Sequence, residues 1–346
     1  MRTTLALALG VAGLALAAPA VAQDKPGPQT GQCDRQCLID LSDKYIAALV
    51  AHNPKAVPLA DNAVSVENMK VIKPGEGLWQ SLGAGPKDFV IHVPEPVSEQ
   101  VGVLLVATAA DGKPAMFGVR LKVENGKITE AEHLIGNTPA ASAMGNLQAV
   151  RPALLREVPY EYADSRGRLI WLGKSYYDAL DDGNSQESAM ADDCERHENG
   201  FQTARNPMTR PGTGNVNDRT FAYLGGLGCA AQMDTNMWEY ITEIHHRRVD
   251  IADPVTGLVW GMSHFRHDFT KQDFALLGVP GTTVRHMDYK PFDMPAIHIY
   301  KVWGGKIHEI EAVGWTAPYR TPDVVGKKEA AWPASADWTL APFRAS

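Results

Sequence analysis

A twelve-residue stretch that occurs twice constrains this chain more than any other feature. Residues 121–132 read LKVENGKITEAE and residues 300–311 read YKVWGGKIHEIE; seven of the twelve positions are identical. Each stretch has the form of a strand, a turn containing glycine, and a second strand. The same hairpin in the same register twice predicts two copies of one unit. The correspondence continues upstream in the same order. Residues 42–49 (SDKYIAAL) parallel residues 173–180 (GKSYYDAL), both with apolar and aromatic residues at helical spacing. A break signal follows each, Asn53-Pro54 and Gly183-Asn184. Glu67-Asn68 then parallels Glu198-Asn199, and the long run at 100–110 parallels 257–269.

A helix followed by several strands predicts an α+β fold for each copy, with helices packed on one face of a curved antiparallel sheet. A curved sheet wrapped round helices leaves a cone, and concave spaces of that kind hold small ligands. The expected boundaries are a first copy over 33–136, a connector over 137–168, a second copy over 169–316 and a tail over 317–346. The tail holds Trp332 and Trp338 and is expected to pack on the body. Two insertions, 202–219 and 270–294, distinguish the second copy, and loops of such length are often lids or binding loops.

Residues 1–22 have the pattern of a signal peptide: Arg2, an apolar stretch from Leu5 to Ala18, and Ala20-Val21-Ala22 as a small-x-small cleavage site. The apolar stretch is shorter than the ~20 residues a membrane span needs, and no later segment is long and apolar enough. A periplasmic or secreted protein without membrane attachment after cleavage is expected. Four cysteines in an exported chain predict disulfides. Cys33 and Cys37 fall within one helical turn, where a bridge fits, which leaves Cys194 to pair with Cys229. Zinc is the competing use, but it calls for a second closely spaced pair. A length of 346 residues suits two domains. A net charge of −7 without a Lys/Arg run argues against nucleic acid as a partner.

The opening helix, the Glu-Asn after it and the closing Gly-Lys-Ile-x-Glu hairpin resemble the SnoaL-like, nuclear-transport-factor-2-like superfamily. Residues 33–79, with Cys33 and Cys37, the run KYIAALVAH, Glu67-Asn68 and GEGLW, look more closely like tandem bacterial and fungal proteins of that group. The resemblance covers nearly all of 33–316. It implies cone-shaped repeats whose enzymes mostly transfer protons without a cofactor in a largely apolar pocket, while other members only bind or scaffold. The strand Val101–Ala109 is apolar on both faces, so the first copy is expected to be plugged and to serve as a pseudo-dimer partner for the second within one chain, with further homo-oligomers open. One fold hosts many functions, so no catalytic residue is carried over.

Polar chemistry gathers in the second copy, which holds eight of the eleven histidines. Histidine titrates near neutral pH and is the commonest general acid or base. Alternation along 238–248 places Trp238, Tyr240, Thr242, Ile244, His246 and Arg248 on one face, the more apolar one, which is expected to point inward. On the next strand Phe265 and His267 share one face and His264 the other. Either face can point inward, and Phe265-Arg266-His267 resembles the ending of this strand in the tandem group, which favours His267. His246 and His267 are therefore the candidate acid and base. Glu198 is a candidate catalytic carboxylate whose burial would raise its pKa, with Asn199 as orienting partner, although a pair kept in both copies also suits a structural role. Tyr177 is a candidate donor to a developing oxyanion. Arg248, Trp238, Tyr240, Phe265, Asn199 and His298 are candidate substrate contacts.

Other chemistries fit less well. His245-His246 and His264-x-x-His267 place i and i+3 on opposite strand faces, poor geometry for one ion, so no metal is expected. There is no phosphate loop, dinucleotide fingerprint or serine nucleophile elbow. The expected activity is that of a lyase, dehydratase or isomerase needing no cofactor and acting on a small apolar or aromatic alcohol or ketone. The rival is a non-catalytic binding or scaffold protein.

Overall fold

The first helix, α1 (Arg35–Val50), begins where the Asp34 carboxylate accepts the Cys37 N–H, because first-turn amides have no partner within the helix. The computed structural model describes residues 33–207, 224–280 and 284–321. Leu38, Tyr45, Ile46 and Leu49 form the buried stripe of α1. After it come β1 (Leu59–Glu67), β2 (Lys70–Ile72), α2 (Leu78–Ser81), β3 (Leu82–Ala84), β4 (Val90–Glu95), β5 (Gln100–Ala109), β6 (Pro114–Glu124) and β7 (Lys127–Ile135). The connector carries α3 (Pro152–Leu155). Ser165 then caps α4 (Arg166–Asp181) through the Arg168 N–H. The rest is β8 (Met190–Glu198), β9 (Phe201–Ala204), α5 (Cys229–Met233), β10 (Glu243–Asp253), β11 (Leu258–His267), β12 (Asp273–Ala275), β13 (Val284–His286), β14 (Phe292–Trp303), β15 (Lys306–Gly314) and β16 (Ala317–Pro318).

Two seven-stranded sheets result, with few helices. The first runs β2-β1-β7-β6-β5-β3, with β4 also on β5; the second runs β9-β8-β15-β14-β11-β10, with β16 on β14. In each, one parallel pairing joins an early strand to the last long strand, β1 to β7 and β8 to β15. The remaining pairings are antiparallel. The repeated hairpins are β6–β7 and β14–β15. Their turns, Asn125-Gly126 and Gly304-Gly305, have positive φ at both residues, as a two-residue link between right-twisted strands requires.

The sheets stack back to back. Ile91, Leu104 and Met116 of the first half pack with Ile251, Trp260 and Ile297 of the second in one apolar layer. Trp260 lies flat on two glycines: a Cβ on Gly102 or Gly118 would come within 3 Å of its ring, at 2.4 and 2.9 Å. The opposite face of each sheet forms a separate core, one around α1 and one around α4. Ion pairs to buried carboxylates sew the layer together. Arg248 reaches across to Glu132 (2.8 and 2.5 Å), Arg166 to Glu95 (2.5 Å) and Arg35 to Asp253 (2.8 Å). In the first half Arg120, from the same sheet, neutralises Glu130 and Glu132. Glu309 and Glu311, at the matching positions of the repeated hairpin, take Arg151 from the connector instead.

Cys33 bridges Cys37 and Cys194 bridges Cys229. Among the described residues no helix is long and apolar enough to cross a membrane. Both features are compatible with a secreted or periplasmic protein. The signal-peptide segment 1–22, most of the insertion 202–219 and the tail beyond residue 321 lie outside the described residues. The other insertion, 270–294, contains the β12–β13 hairpin and already enters β14.

One expected element differs. Residues 238–248 do not form a single strand: turns run to Tyr240, and β10 starts at Glu243. It then carries a bulge. Pairing passes from His245↔His264 to Arg248↔Met262, so His246 and Arg247 together face Ser263. His246 has φ +50°, the left-handed conformation that lets the extra residue fit.

Candidate active site

On the helix-facing side of the second sheet lies a cavity of about 640 Å³. Six of the residues singled out from sequence line it: Glu198, Asn199, Trp238, Tyr240, Phe265 and His298. The walls are mostly apolar and aromatic, completed by Leu180 of α4 and by Phe292 and Met294 of β14.

Strand register explains where the polar groups stand. Across β11, β14, β15 and β8, one transverse row reads Gly261, His298, Ala312, Glu198. Neighbouring strands are ~4.8 Å apart, so His298 and Glu198 share one face with a gap of about 10 Å between their backbones, floored only by the methyl of Ala312. The matching row of the first sheet, across β5, β6, β7 and β1, reads Val103, Val119, His133, Glu67. There the histidine sits directly beside the glutamate and bonds to it, His133 Nδ1 to Glu67 Oε2 at 3.2 Å. The second half has its histidine one strand further away and an alanine where His133 would stand. That exchange opens the space.

His298 is buried among aromatic rings, stacked on Tyr300 and edge-on to Tyr177. Its Nδ1 meets the Tyr177 hydroxyl at 3.2 Å. Burial, and then the positive charge of Arg196, pull its pKa down to about 3. The imidazole is therefore neutral across ordinary pH. Burial pushes the Tyr177 hydroxyl well above its usual range, so it stays protonated. Gly261 makes this contact possible, since a Cβ there would lie 2.8 Å from the Tyr177 oxygen.

Arg196 is the residue that sequence reasoning missed. Its guanidinium is fully buried, donates from Nε to Thr203 Oγ1 (2.9 Å) and from Nη2 to Gln232 Oε1 (2.7 Å), and lies over the Trp238 ring at 4.6 Å. Nε also stands 2.9 Å from Glu198 Oε1, so the cavity carboxylate has a fixed cationic neighbour. Alternation carries the signal: Cys194, Arg196 and Glu198 fall on one strand face, and Cys194 is anchored in the core by its bridge. Asn199 holds backbone: its Nδ2 donates to the Gly314 carbonyl and its Oδ1 accepts the Gly314 N–H. Asn68 does the same with Ile135. This pairs both asparagines with a fold role.

Four other expectations are corrected. His246 is not in the cavity. The bulge turns it to a void of only about 30 Å³ between the two sheets, beside Glu132 and His133. For the same reason Arg248 falls on the outer face and is consumed by Glu132. His267 does face inward but is sealed, with Nδ1 2.7 Å from the Tyr240 carbonyl and Nε2 3.0 Å from the Tyr289 carbonyl. It ties two walls together. Tyr177 stands behind His298 rather than in the wall.

The family model described as "Domain of unknown function (DUF8021)" matches residues 162–314, less than half of the chain. No curated protein matches. Solved structures with a similar stretch include NTF2-like and cystatin-like proteins at low identity and partial coverage. An NTF2-like protein from Cytophaga hutchinsonii is 19% identical, over 28% of this chain and 88% of that one, with a TM-score of 0.23. A protein with a cystatin-like fold from Methylobium petroleophilum is 10% identical, over 35% and 97%, with a TM-score of 0.27. An NTF-2 like protein from Burkholderia xenovorans is 14% identical, over 33% and 95%, with a TM-score of 0.24. At these identities and scores the neighbours say nothing of activity. The described residues themselves show an α+β arrangement with antiparallel-rich sheets and few helices.

Proposed function

We propose that the second half is a proton-transfer enzyme acting on a small apolar or aromatic ketone or alcohol, with Glu198 and His298 as the working pair. The observation that carries this reading is the row Gly261–His298–Ala312–Glu198, which faces a base and a neutral imidazole across an open gap. In this reading the Tyr177 hydroxyl hydrogen-bonds to Nδ1 of His298, 3.2 Å away, and selects the tautomer whose Nε2–H can donate to a substrate. A carbonyl oxygen held by that N–H becomes the developing oxyanion, and Glu198 removes the proton from the adjacent carbon. The same carboxyl then returns the proton to another position (isomerisation), or assists loss of a β-hydroxyl (dehydration). No step calls for a cofactor. A neutral imidazole suits the donor role, because it stabilises negative charge without first surrendering a proton.

The two halves read as copies of one NTF2-like unit. Their matching sheet orders, hairpins and Glu-Asn pairs support this. The first half then acts as the structural partner in a pseudo-dimer within one chain. Deuterium uptake into indanone and tetralone tests the catalytic assignment without knowledge of the physiological substrate. Exchange at the carbon next to the carbonyl should exceed the buffer rate and fall by about 10²-fold or more in Glu198→Gln. Equal exchange in the variant, or none in the wild type, refutes it. One observation favours a second reading, a binding protein without turnover: Arg196 already pairs with Glu198 and holds its carboxylate in place. Saturable binding of these ketones without exchange would decide for that reading.

A further inference from the structure

At the place in the first half that corresponds to the second-half cavity, an indole is packed into the core. Glu67 stands where Glu198 stands, and its carboxylate accepts the Leu78 N–H at 2.8 Å. A Cβ on Gly77 would lie 2.3 Å from the same carboxylate, so the segment 77–79 is pressed directly onto it. Trp79 follows, 1% exposed, edge-on to Tyr45 with ring centroids 5.3 Å apart. Tyr45 in turn meets His133 Nε2 at 2.9 Å. Trp79 belongs to the same apolar cluster as Leu49, Ala107 and Phe117. By register and by the helix correspondence these match Leu180, Phe265 and Ala296, all walls of the second-half cavity.

We propose that the second-half cavity takes a flat bicyclic aromatic ring of indole size, and that the first half is the same site with such a ring built in as Trp79. This rests on the reading of the halves as copies of one unit. One half carries its ring on the chain, beside a carboxylate and a helix tyrosine. The other keeps the carboxylate and the tyrosine but leaves the ring's place empty, with Trp238 and Phe265 as aromatic walls. His133 and Phe117 close the plugged half around its ring, while Ala312 and Ala296 keep the open half wide.

The experiment is a titration of the full chain with indole, phenol and cyclohexanol as probes, followed by calorimetry and ligand-observed NMR. The wild type should bind indole at one saturable site, more tightly than either smaller probe. Ala312→His, which recreates the plugged row, should weaken indole by about tenfold or more. Trp79→Gly should gain a second indole site and regain thermal stability when indole is added. Preference for phenol or cyclohexanol, or unchanged indole affinity in Ala312→His, overturns the proposal. So does a folded Trp79→Gly protein with no second site; should that variant not fold, the wild type and Ala312→His decide. Binding and turnover fail separately here. Indole binding without deuterium exchange in any ketone refutes the catalytic reading and leaves this one standing. Exchange without indole binding does the reverse.

Discussion

Replacement of Arg248 by methionine separates the two roles that sequence and structure give this residue. Its guanidinium holds Glu132 through two bonds, at 2.8 and 2.5 Å, and the two side chains are only 6% and 3% exposed. Removing one member of a buried pair strands the other and costs roughly 3–5 kcal/mol. Glu132 would keep Arg120, whose Nη1 lies 2.6 Å away, so the lower end, about 3 kcal/mol, is expected. For a body of this size each kcal/mol moves Tm by roughly 2–4 °C, which gives a fall of about 6–12 °C. Circular dichroism melts of Arg248→Met and of Arg248→Met/Glu132→Gln measure this, and the double variant should recover part of the loss. Ligand affinity in the second-half cavity should be unchanged, because Arg248 is no part of its wall. An unchanged Tm together with weakened cavity binding would refute the reasoning and return Arg248 to the site that simple alternation gave it.

Three other expectations follow from single contacts. The Cys194–Cys229 bridge spans 35 residues and Cys33–Cys37 spans 4; chain entropy makes the first worth about 4 kcal/mol and the second about 2, so paired Cys→Ala variants should differ in denaturant midpoint in that order. Burial, against the pull of Arg151, raises the Glu311 carboxyl from 4.5 to about 7. The folded chain therefore holds a proton between those values that the unfolded chain releases, and stability from this group falls as pH rises through that window. Glu311→Gln removes the slope, so relative to the wild type it should gain stability between about pH 5 and pH 8 in urea titrations. Gly261→Ala places a methyl 2.8 Å from the Tyr177 oxygen. It should lower deuterium exchange by about tenfold while leaving indole affinity within a factor of about two, since the methyl presses on Tyr177 and Tyr300, the rings packed on His298, and not on the cavity wall.

Much of the architecture was legible because hairpins are local. Strand, turn and strand lie within twelve residues, and the positive φ of Asn125-Gly126 and Gly304-Gly305 is written in the residue types. Trp238, Tyr240 and Phe265, expected with Ile244 as an apolar lining, stand in the cavity wall while Ile244 does not, since bulky apolar side chains on one face must bury somewhere. The misplacement of His246 and Arg248 comes from one inserted residue. A strand's faces alternate with period two, so the bulge at His246-Arg247 moved Arg248 to the other side, and nothing in the run IHHRRVD announces it. His267 kept its face yet lost its chemistry to the carbonyls of Tyr240 and Tyr289, the second of them 22 residues away. The gap at Ala312 was invisible for another reason. An alanine means nothing until its neighbours on two adjacent strands are known.

The arginine of the connector has a practical consequence for anyone dissecting this chain. Glu309 and Glu311 are neutralised by Arg151, which lies ahead of the stretch 162–314 that the family model matches. The face of that stretch that carries Trp260 is covered by Gly102 and Gly118, further upstream still. A fragment cut to the matched boundaries would therefore expose an indole and two adjacent carboxylates that repel each other. Its behaviour would report the damage of the cut rather than the properties of the site. A trimmed expression fragment should therefore keep both halves together with their connector.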